Sequence, residues 1–472
     1  MRTKFAILLA IAAVCVTTVW AGWAKEQQIT SNKYCNDLHY PTGHRVAIAA
    51  NGVRHLVWEA NGFVYYKRYY PTSGWTADLK LSGSTGSITG PASIALDPDG
   101  STVHVVWHEQ LAHGNIRYHI FYWKCVPGSS GNGGWVGTPT DLTPSLQRVF
   151  MRPVVACYRG HVVVAWCEEY SDVLWFCECI DGTWQTPRSW VFPSAPVGVQ
   201  STSIAVDSLN RHGDVYISYI VVPPGGVSYN YVIRRQGGVW QDPEYVTSAG
   251  SYPCIEVDPT TGYPHIVLGT LSIYHTYWDE AGWKLPEIIE SVGGVPNMFF
   301  NGGSAFVVWS LSSSAGSGIR YTIGNYGSWT PPDWVTTNGG RDPNITASTT
   351  GNVFVVWRDG SGAKYPQVWG RLYSPGSGGG MAAPIAISLP GVELFPNPAK
   401  AGRVMVQYTL PLAGPMTVTL LDVSGRAVKT QEIPASDRSG SFSINVSGLR
   451  AGVYILRLET GTSNLIRKLV IE

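Results

Sequence analysis

Charge is what this chain has least of. Asp, Glu, Lys and Arg make up 14% of its 472 residues, and 33 basic against 32 acidic residues leave a formal net charge of +1. An average soluble domain carries roughly 25% charged residues. A nucleic-acid binder needs a basic surface to displace counterions from phosphates, so this balance argues against nucleic acid as a partner. No glycine-rich phosphate loop stands between a strand and a helix, and neither a nucleotide nor a redox cofactor is expected. After Val19 no apolar run approaches a span of ~20 residues, so the mature chain should lack a transmembrane segment. Cysteine gives no framework either. Without Cys15, seven remain, an odd number that leaves at least one thiol free unless chains pair. Cys167, Cys177 and Cys179 lie close together but lack the C-x-x-C spacing and fourth ligand of a zinc site. They read as small buried residues with at most one bridge, and no metal is expected.

What is abundant is aromatic and turn-forming. There are 19 Trp, 25 Tyr and 53 Gly, and hydrophobic residues reach 44%, too many for a disordered chain. Such a balance points to many short strands and tight turns. Residues 1–24 read as a signal peptide: Arg2 and Lys4, an apolar run from Phe5 to Val19, then small residues at Ala21 or Ala24. An N-terminal segment, 25–43, follows it.

Residues 44–373 repeat. A V-x-W-like element ends at Trp58, Trp107, Trp166, Tyr219, Gly269, Trp309 and Trp357, a period near 50. Each element is followed by an aromatic strand, such as FVYYKRYY or NIRYHIFYW, and in the first six repeats by a Gly-Trp or Gly-x-Trp turn, as at Gly74-Trp75 and Gly282-Trp283; the seventh has only Gly376 and its neighbours there. Several short strands at this period specify a β-propeller blade, because one small twisted sheet cannot bury both faces alone. Two stacked sandwiches would not need so regular a period. The recurrent tryptophans read as wedges between blades, each burying ~200 Å² of aromatic surface. The expected fold is therefore all-β: a seven-bladed β-propeller, a Gly/Ser/Pro-rich linker at 374–389, and a small Ig-like β-sandwich at 390–472.

The sandwich is read from alternation at Val404-Val406-Tyr408 and Met416-Val418-Leu420, with breaks at Ser424-Gly425 and Ala451-Gly452, which gives six or seven antiparallel strands. Pro396-Asn397-Pro398, the Asp422–Arg426 turn, Gly452-Val-Tyr454 and the terminal Lys468-Leu-Val-Ile resemble the type A C-terminal sorting domain of the type IX secretion system. That resemblance implies the type IX machinery as a partner. It also implies transit through the periplasm to the outer-membrane surface or beyond.

The blade phrase D-x-x-G-x-V-H-V-V-W…I-x-Y…G-x-W resembles the sialidase-like, BNR-type propellers. The turns keep the Gly and Trp of that superfamily's Asp-box, as at Asp181-Gly182-Thr183-Trp184. Sialidases hold an acid sugar with an arginine trio, and Arg152-Pro153 resembles the arginine-proline motif of their first blade. No Tyr/Glu nucleophile pair can be named here, and seven blades depart from the sialidase six.

Blade geometry brings the start of each innermost strand and the end of the second to one mouth of the channel. Arg45, Arg152 and Arg341 precede the innermost strands of blades one, three and seven. Glu59, His108, Glu109, Glu168, Arg358 and Asp359 follow the second-strand tryptophans. Arginines there could clamp a carboxylate or sulfate with forked hydrogen bonds. His108 and Glu109 could act as base or acid in a lyase, and two of Glu59, Glu109 and Glu168 could serve a glycosidase. The plainer alternative is that these charges hydrate the rim and cap strand ends. Asp97-Pro98-Asp99-Gly100 and Asp258-Pro259 lack the spaced oxygen ligands of a calcium loop and read as β-turns. His104 and His265 read as packed strand histidines. The leading expectation is an exported propeller that binds a glycan or surface protein without transforming it. A sialidase-like hydrolase or polysaccharide lyase acting on an acidic polymer is the rival, and a structural or adhesion component is the third class.

Overall fold

A computed structural model describes residues 22–472 apart from 39–42, 84–88, 111–116, 129–130, 147, 159, 170, 192–197, 208–213, 224–225, 280, 314–315, 360–363, 375–390, 396–398, 400–401, 410–415, 434–438 and 461–463. Residues 1–21 of the expected leader, nearly all of the expected linker and the Pro396-Asn397-Pro398 motif lie outside the described residues. The described regular structure is all β, in two compact units, 1–383 and 384–472.

The first unit contains seven antiparallel sheets. In blade two, Ser93–Leu96, Val103–Gln110 and Tyr118–Cys125 pair in chain order, with Thr140–Asp141 outermost. Second strands such as Val103–Gln110 and Arg54–Ala60 are buried almost end to end. A strand covered on both faces can carry an unbroken apolar run, which is why V-H-V-V-W reads as it does. Third strands such as Phe63–Tyr70 mix buried with half-buried positions.

Each innermost strand lies against the next around the unit, and the seventh, Arg341–Ala347, lies against the first, Val46–Ile48. The ring is closed. The unit is a seven-bladed β-propeller.

Hydrogen bonds beside the channel link every consecutive pair of innermost segments. Val155 N donates to Ser93 Oγ (3.4 Å), Ile255 N to Ser203 Oγ (3.1 Å), and Ile345 N to Asn297 Oδ1 (3.1 Å). Met298 N donates to Cys254 Sγ (3.4 Å), and Thr202 Oγ1 to the Arg152 carbonyl (3.2 Å). The last junctions are Arg45 N to Asn344 Oδ1 and Ile94 N to the His44 carbonyl, both 2.8 Å.

The seventh blade is completed from the other end of the chain. Gly22–Trp23 and Gln27–Gln28 pair with Val368–Ser374, with Trp23 opposite Tyr373 and Gln28 opposite Trp369. Ala24 N donates to the Leu372 carbonyl at 2.7 Å. The Trp23 ring meets Tyr321 and Tyr373 edge-on at 5.2 and 5.4 Å.

Both tryptophan sets are packing residues. Trp58, Trp107, Trp166 and Trp309 are fully buried. The fifth member needs correction: Cys254 pairs with Val267, which places Leu268, not Gly269, in register with them. Leu268 is fully buried, so an apolar side chain fills that place too. The turn tryptophans reach back onto the preceding blade, where Trp135 meets Tyr66 at 5.1 Å, Trp184 meets Tyr122 at 4.7 Å and Trp240 meets Phe176 at 4.4 Å. All seven described cysteines are free, and Cys35 alone among them is exposed.

The described residues of the second unit form seven antiparallel strands in two sheets. Gly391–Phe395, Arg403–Thr409 and Ser439–Asn445 form one. Met416–Leu421, Ala427–Ile433, Gly452–Thr460 and Asn464–Ile471 form the other. Val404, Val406, Val418, Leu420, Leu456 and Leu469 share its core, as the alternation implies.

Two outcomes are expected. Of the two leader ends, Ala21 preserves the strand that completes blade seven, whereas Ala24 removes it. N-terminal sequencing of exported protein should therefore find Gly22 first, and a Lys25 start would contradict this. Burial, then the Arg68 charge, lowers the His55 pKa from 6.5 to about 3. Protonation therefore favours the unfolded chain: the His55 contribution is complete above pH 6.5 and falls away as pH drops toward 3, at up to ~1.4 kcal/mol per pH unit. Urea midpoints of wild type and His55→Asn should converge between pH 7 and pH 4, and parallel profiles would refute the assignment.

Candidate functional site

The mouth where the innermost strands begin has a backbone signature. Arg152, Ser201, Tyr252 and Asp342 all have φ between 52° and 55°. Each sits at a register shift of its strand, in blades three, four, five and seven. Left-handed backbone costs a non-glycine residue ~1–3 kcal/mol, and bulges of this kind re-aim a side chain. Proline follows three of the four, at Pro153, Pro253 and Pro343. Only the first of these X-Pro pairs stood out in the sequence.

The expected site residues separate into two groups. Arg45 does not reach the mouth: it is 1% exposed, with Nε donating to the Leu38 carbonyl at 2.9 Å and Nη1 to the Ala92 carbonyl. Burial lowers its pKa against the opposing charges of Glu59, Asp37 and Asp342. Glu59 is buried, and its Oε1 accepts from Ala92 N at 2.6 Å. Glu109 accepts from Trp107 Nε1 at 3.0 Å and Gly83 N at 3.2 Å. Glu168 accepts from Trp175 Nε1 at 3.0 Å and pairs with Arg148 at 2.9 Å. His108 is 3% exposed, and Arg152 N donates to its Nδ1 at 3.3 Å. A Cβ on Gly90 would lie 1.9 Å from the His108 ring, and one on Gly83 would lie 1.9 Å from Glu109 Oε1. His108 and Glu109 are thus packed onto glycines.

The second group is more open. Arg341 is exposed and Arg152 half-buried. Arg358 reaches Asp342 at 3.1 Å and Asp37 at 3.7 Å. Asp359 is half-buried beside it, with its amide bonded to the Gln367 carbonyl at 2.8 Å. The pairing of Arg358 with Asp37 had no sequence signal, because the two lie at opposite ends of the propeller sequence, and that with Asp342 depends on the register shift of the adjacent strand.

Another pair missed in the sequence crosses the channel. His44 Nε2 lies 2.5 Å from Glu256 Oε1, joining blades one and five, which are not neighbours in the ring. The Phe299 ring stands edge-on to His44 at 5.5 Å. His44 and Glu256 line a channel cavity of about 330 Å³ whose other walls include Val46, Ile94, Val257 and Phe299.

In the C-terminal unit, the Asp422 carboxylate accepts from the amides of Ser424 (2.9 Å) and Arg426 (3.1 Å), and Gly425 supplies φ 82°. Tyr454 Oη donates to the Arg450 carbonyl at 2.9 Å, and Lys468 is exposed. Residues 393–472 match the family described as the secretion system C-terminal sorting domain. The C-terminal unit is a type IX sorting domain. With a sorting domain the chain is exported to the cell surface or extracellular space, and the type IX machinery is its partner.

No curated protein matches the chain in sequence. Among solved structures it is similar to a protein of unknown function from Dyadobacter fermentans (11% identity, 75% of this chain and 98% of that one, TM-score 0.46). It is similar to an ulvan lyase from a new family of polysaccharide lyases (12%, 75% and 94%, TM-score 0.49). A subtype N10 neuraminidase-like protein of A/little yellow-shouldered bat/Guatemala is a third (10%, 62% and 95%, TM-score 0.40).

Gly90 gives a direct check on the mouth. Gly90→Ala should cost ~1–3 kcal/mol, because the His108 ring must be displaced. Chemical denaturation reads this, and an unchanged midpoint would show that the ring has room to move.

Proposed function

We propose that the exported propeller is a binding protein whose mouth takes an anionic ligand, a carboxylated or sulfated glycan above all, through Arg152, Arg341 and Arg358. One observation carries this reading: the three glutamates are enclosed and bonded, while Arg152, Arg341 and Arg358 are in the open group, where Asp342 and Asp359 stand near Arg358. Glu59, Glu109 and Glu168 are buried and accept bonds from backbone amides or indole N–H groups. Acid or base catalysis would require such groups to meet a substrate proton at hydrogen-bond distance. The guanidinium groups of Arg152 and Arg341 make no hydrogen bond or ion pair with a described residue, and Arg358 is held in place by Asp342. A planar guanidinium fits carboxylate or sulfate oxygens in pairs. His108, enclosed by Gly90 and bonded to the Arg152 amide, supports a positioning role rather than one as a lyase base.

Full-length protein on an array of carboxylated and sulfated glycans should retain ligand, and retention should weaken as salt rises. Each lost charge-assisted contact is worth ~1.5–3 kcal/mol, so Arg152→Ala with Arg341→Ala should weaken binding at least about tenfold. Release of unsaturated or reducing ends by the wild type, or undiminished retention by the double variant, would overturn the reading.

A further inference from the structure

Away from the arginine mouth, near the far ends of the innermost strands, three donor side chains from blades two and three come together. Asp97 follows the innermost strand of blade two, His104 lies on the next strand, and Cys157 lies on the innermost strand of blade three. One ligand atom from each lies within 4.8 Å of the others. It is the one such cluster among the described residues.

We propose that Asp97, His104 and Cys157 bind a divalent transition-metal cation of the zinc class, with an open coordination position facing the channel cavity. The first support is the buried polar atoms. His104 is 4% exposed, yet its Nε2 has no hydrogen-bond partner, and neither does Asp97 Oδ1. Asp97 Oδ2 stands 3.5 Å from His104 Nε2, too far to satisfy that nitrogen, and the Cys157 thiol is hydrogen-bonded to the Asp97 carboxyl group. Unpaired buried groups of this kind are costly, and a bound cation satisfies them together. The second support is orientation. His104 Nδ1 is bonded to Tyr122 Oη at 2.8 Å, with the two rings stacked at 5.9 Å. A fixed bond at one ring nitrogen is how a metal-ligating histidine is aimed.

Blade one provides an internal comparison. His55 occupies the same strand position and bonds Tyr66 Oη through Nδ1 at 2.7 Å. The turn residue there is Ala49, whose amide bonds the Val53 carbonyl as the Asp97 amide bonds that of Thr102. The position matching Cys157 is Leu96, paired with Val103 as Cys157 is paired with Val162. The stacked histidine is therefore a recurrent packing element. Blade five repeats the histidine and the turn carboxylate as His265 and Asp258, but there Asp258 is bonded to Tyr326 Oη and Asn325 Nδ2, and Phe300 takes the place of Cys157. Among the described residues the sulfur donor joins the pair only in blade two.

The donor set selects the ion. Imidazole, thiolate and carboxylate together suit zinc-class metals, whereas magnesium and calcium take oxygen ligands. Bond lengths of ~2.0–2.3 Å place ligand atoms about 3–4 Å apart, so closure requires shifts of about an ångström. Three protein ligands leave one tetrahedral position vacant, as in sites that bind a water or an exchangeable ligand. Asp97 and Cys157 also line the cavity of about 330 Å³, so that position opens onto it.

The test is cobalt binding by chelator-treated full-length protein carrying Cys35→Ser, which removes the exposed thiol. The expected result is one cobalt per chain with a thiolate-to-cobalt charge-transfer band. The band should vanish in Cys157→Ser, and His104→Ala should weaken cobalt binding at least tenfold. Zinc should displace the cobalt. Absence of the band in the Cys35→Ser protein, or its full persistence in Cys157→Ser, overturns the site. Asp97→Asn provides a second arm that does not alter the packed histidine: it should retain the band but bind more weakly, and unchanged affinity would remove Asp97 from the ligand set.

Discussion

The propeller depends on how its innermost strands are tied to each other. Each has one neighbour within its own blade and turns its other edge to the channel, where backbone groups would lack partners. Ser93, Ser203, Cys254, Asn297 and Asn344 offer side-chain acceptors to the next blade at that edge. A buried N–H left unpaired costs ~1–3 kcal/mol, so these small polar residues are as necessary as the tryptophans. They also fix the height of each strand, and with it the bulges that carry Arg152, Ser201, Tyr252 and Asp342.

A chain with so few charges uses many of them inside. Glu178 takes the indole N–H of Trp240 from the following blade, and Glu287 takes that of Trp329. Glu287 also accepts from His275, whose other nitrogen meets His265 at 2.9 Å. A turn tryptophan has an apolar body and one donor, and a carboxylate on the adjacent sheet satisfies that donor without exposing the ring. The charges left for a ligand are correspondingly few and easy to identify.

The period, the wedge tryptophans and the C-terminal alternation were legible because each is a local pattern repeated many times. Leu268 was missed by one residue, since Gly269 kept the expected place in the string while strand pairing did not. Arg45 was placed at the mouth because sequence gives height along the blade but not radial direction. It points into the junction between blades one and two. His104 was read only as a packed strand histidine, and it is buried and stacked on Tyr122, but its neighbours Asp97 and Cys157 come from a turn and from another blade. Such meetings have no signature in spacing. The same holds for His44 and Glu256, which lie 212 residues apart.

Residues 22–28 complete the sheet that ends at Ser374, so the first part of the folded chain and the last stretch before the sorting domain depend on each other. A chain truncated in any earlier blade has its opening strand but nothing for that strand to join. Its seam stays open. Only a polypeptide made through blade seven can seal the circle, and its next segment is the passport for export. Ring closure therefore waits on the stretch of chain that ends at Ser374.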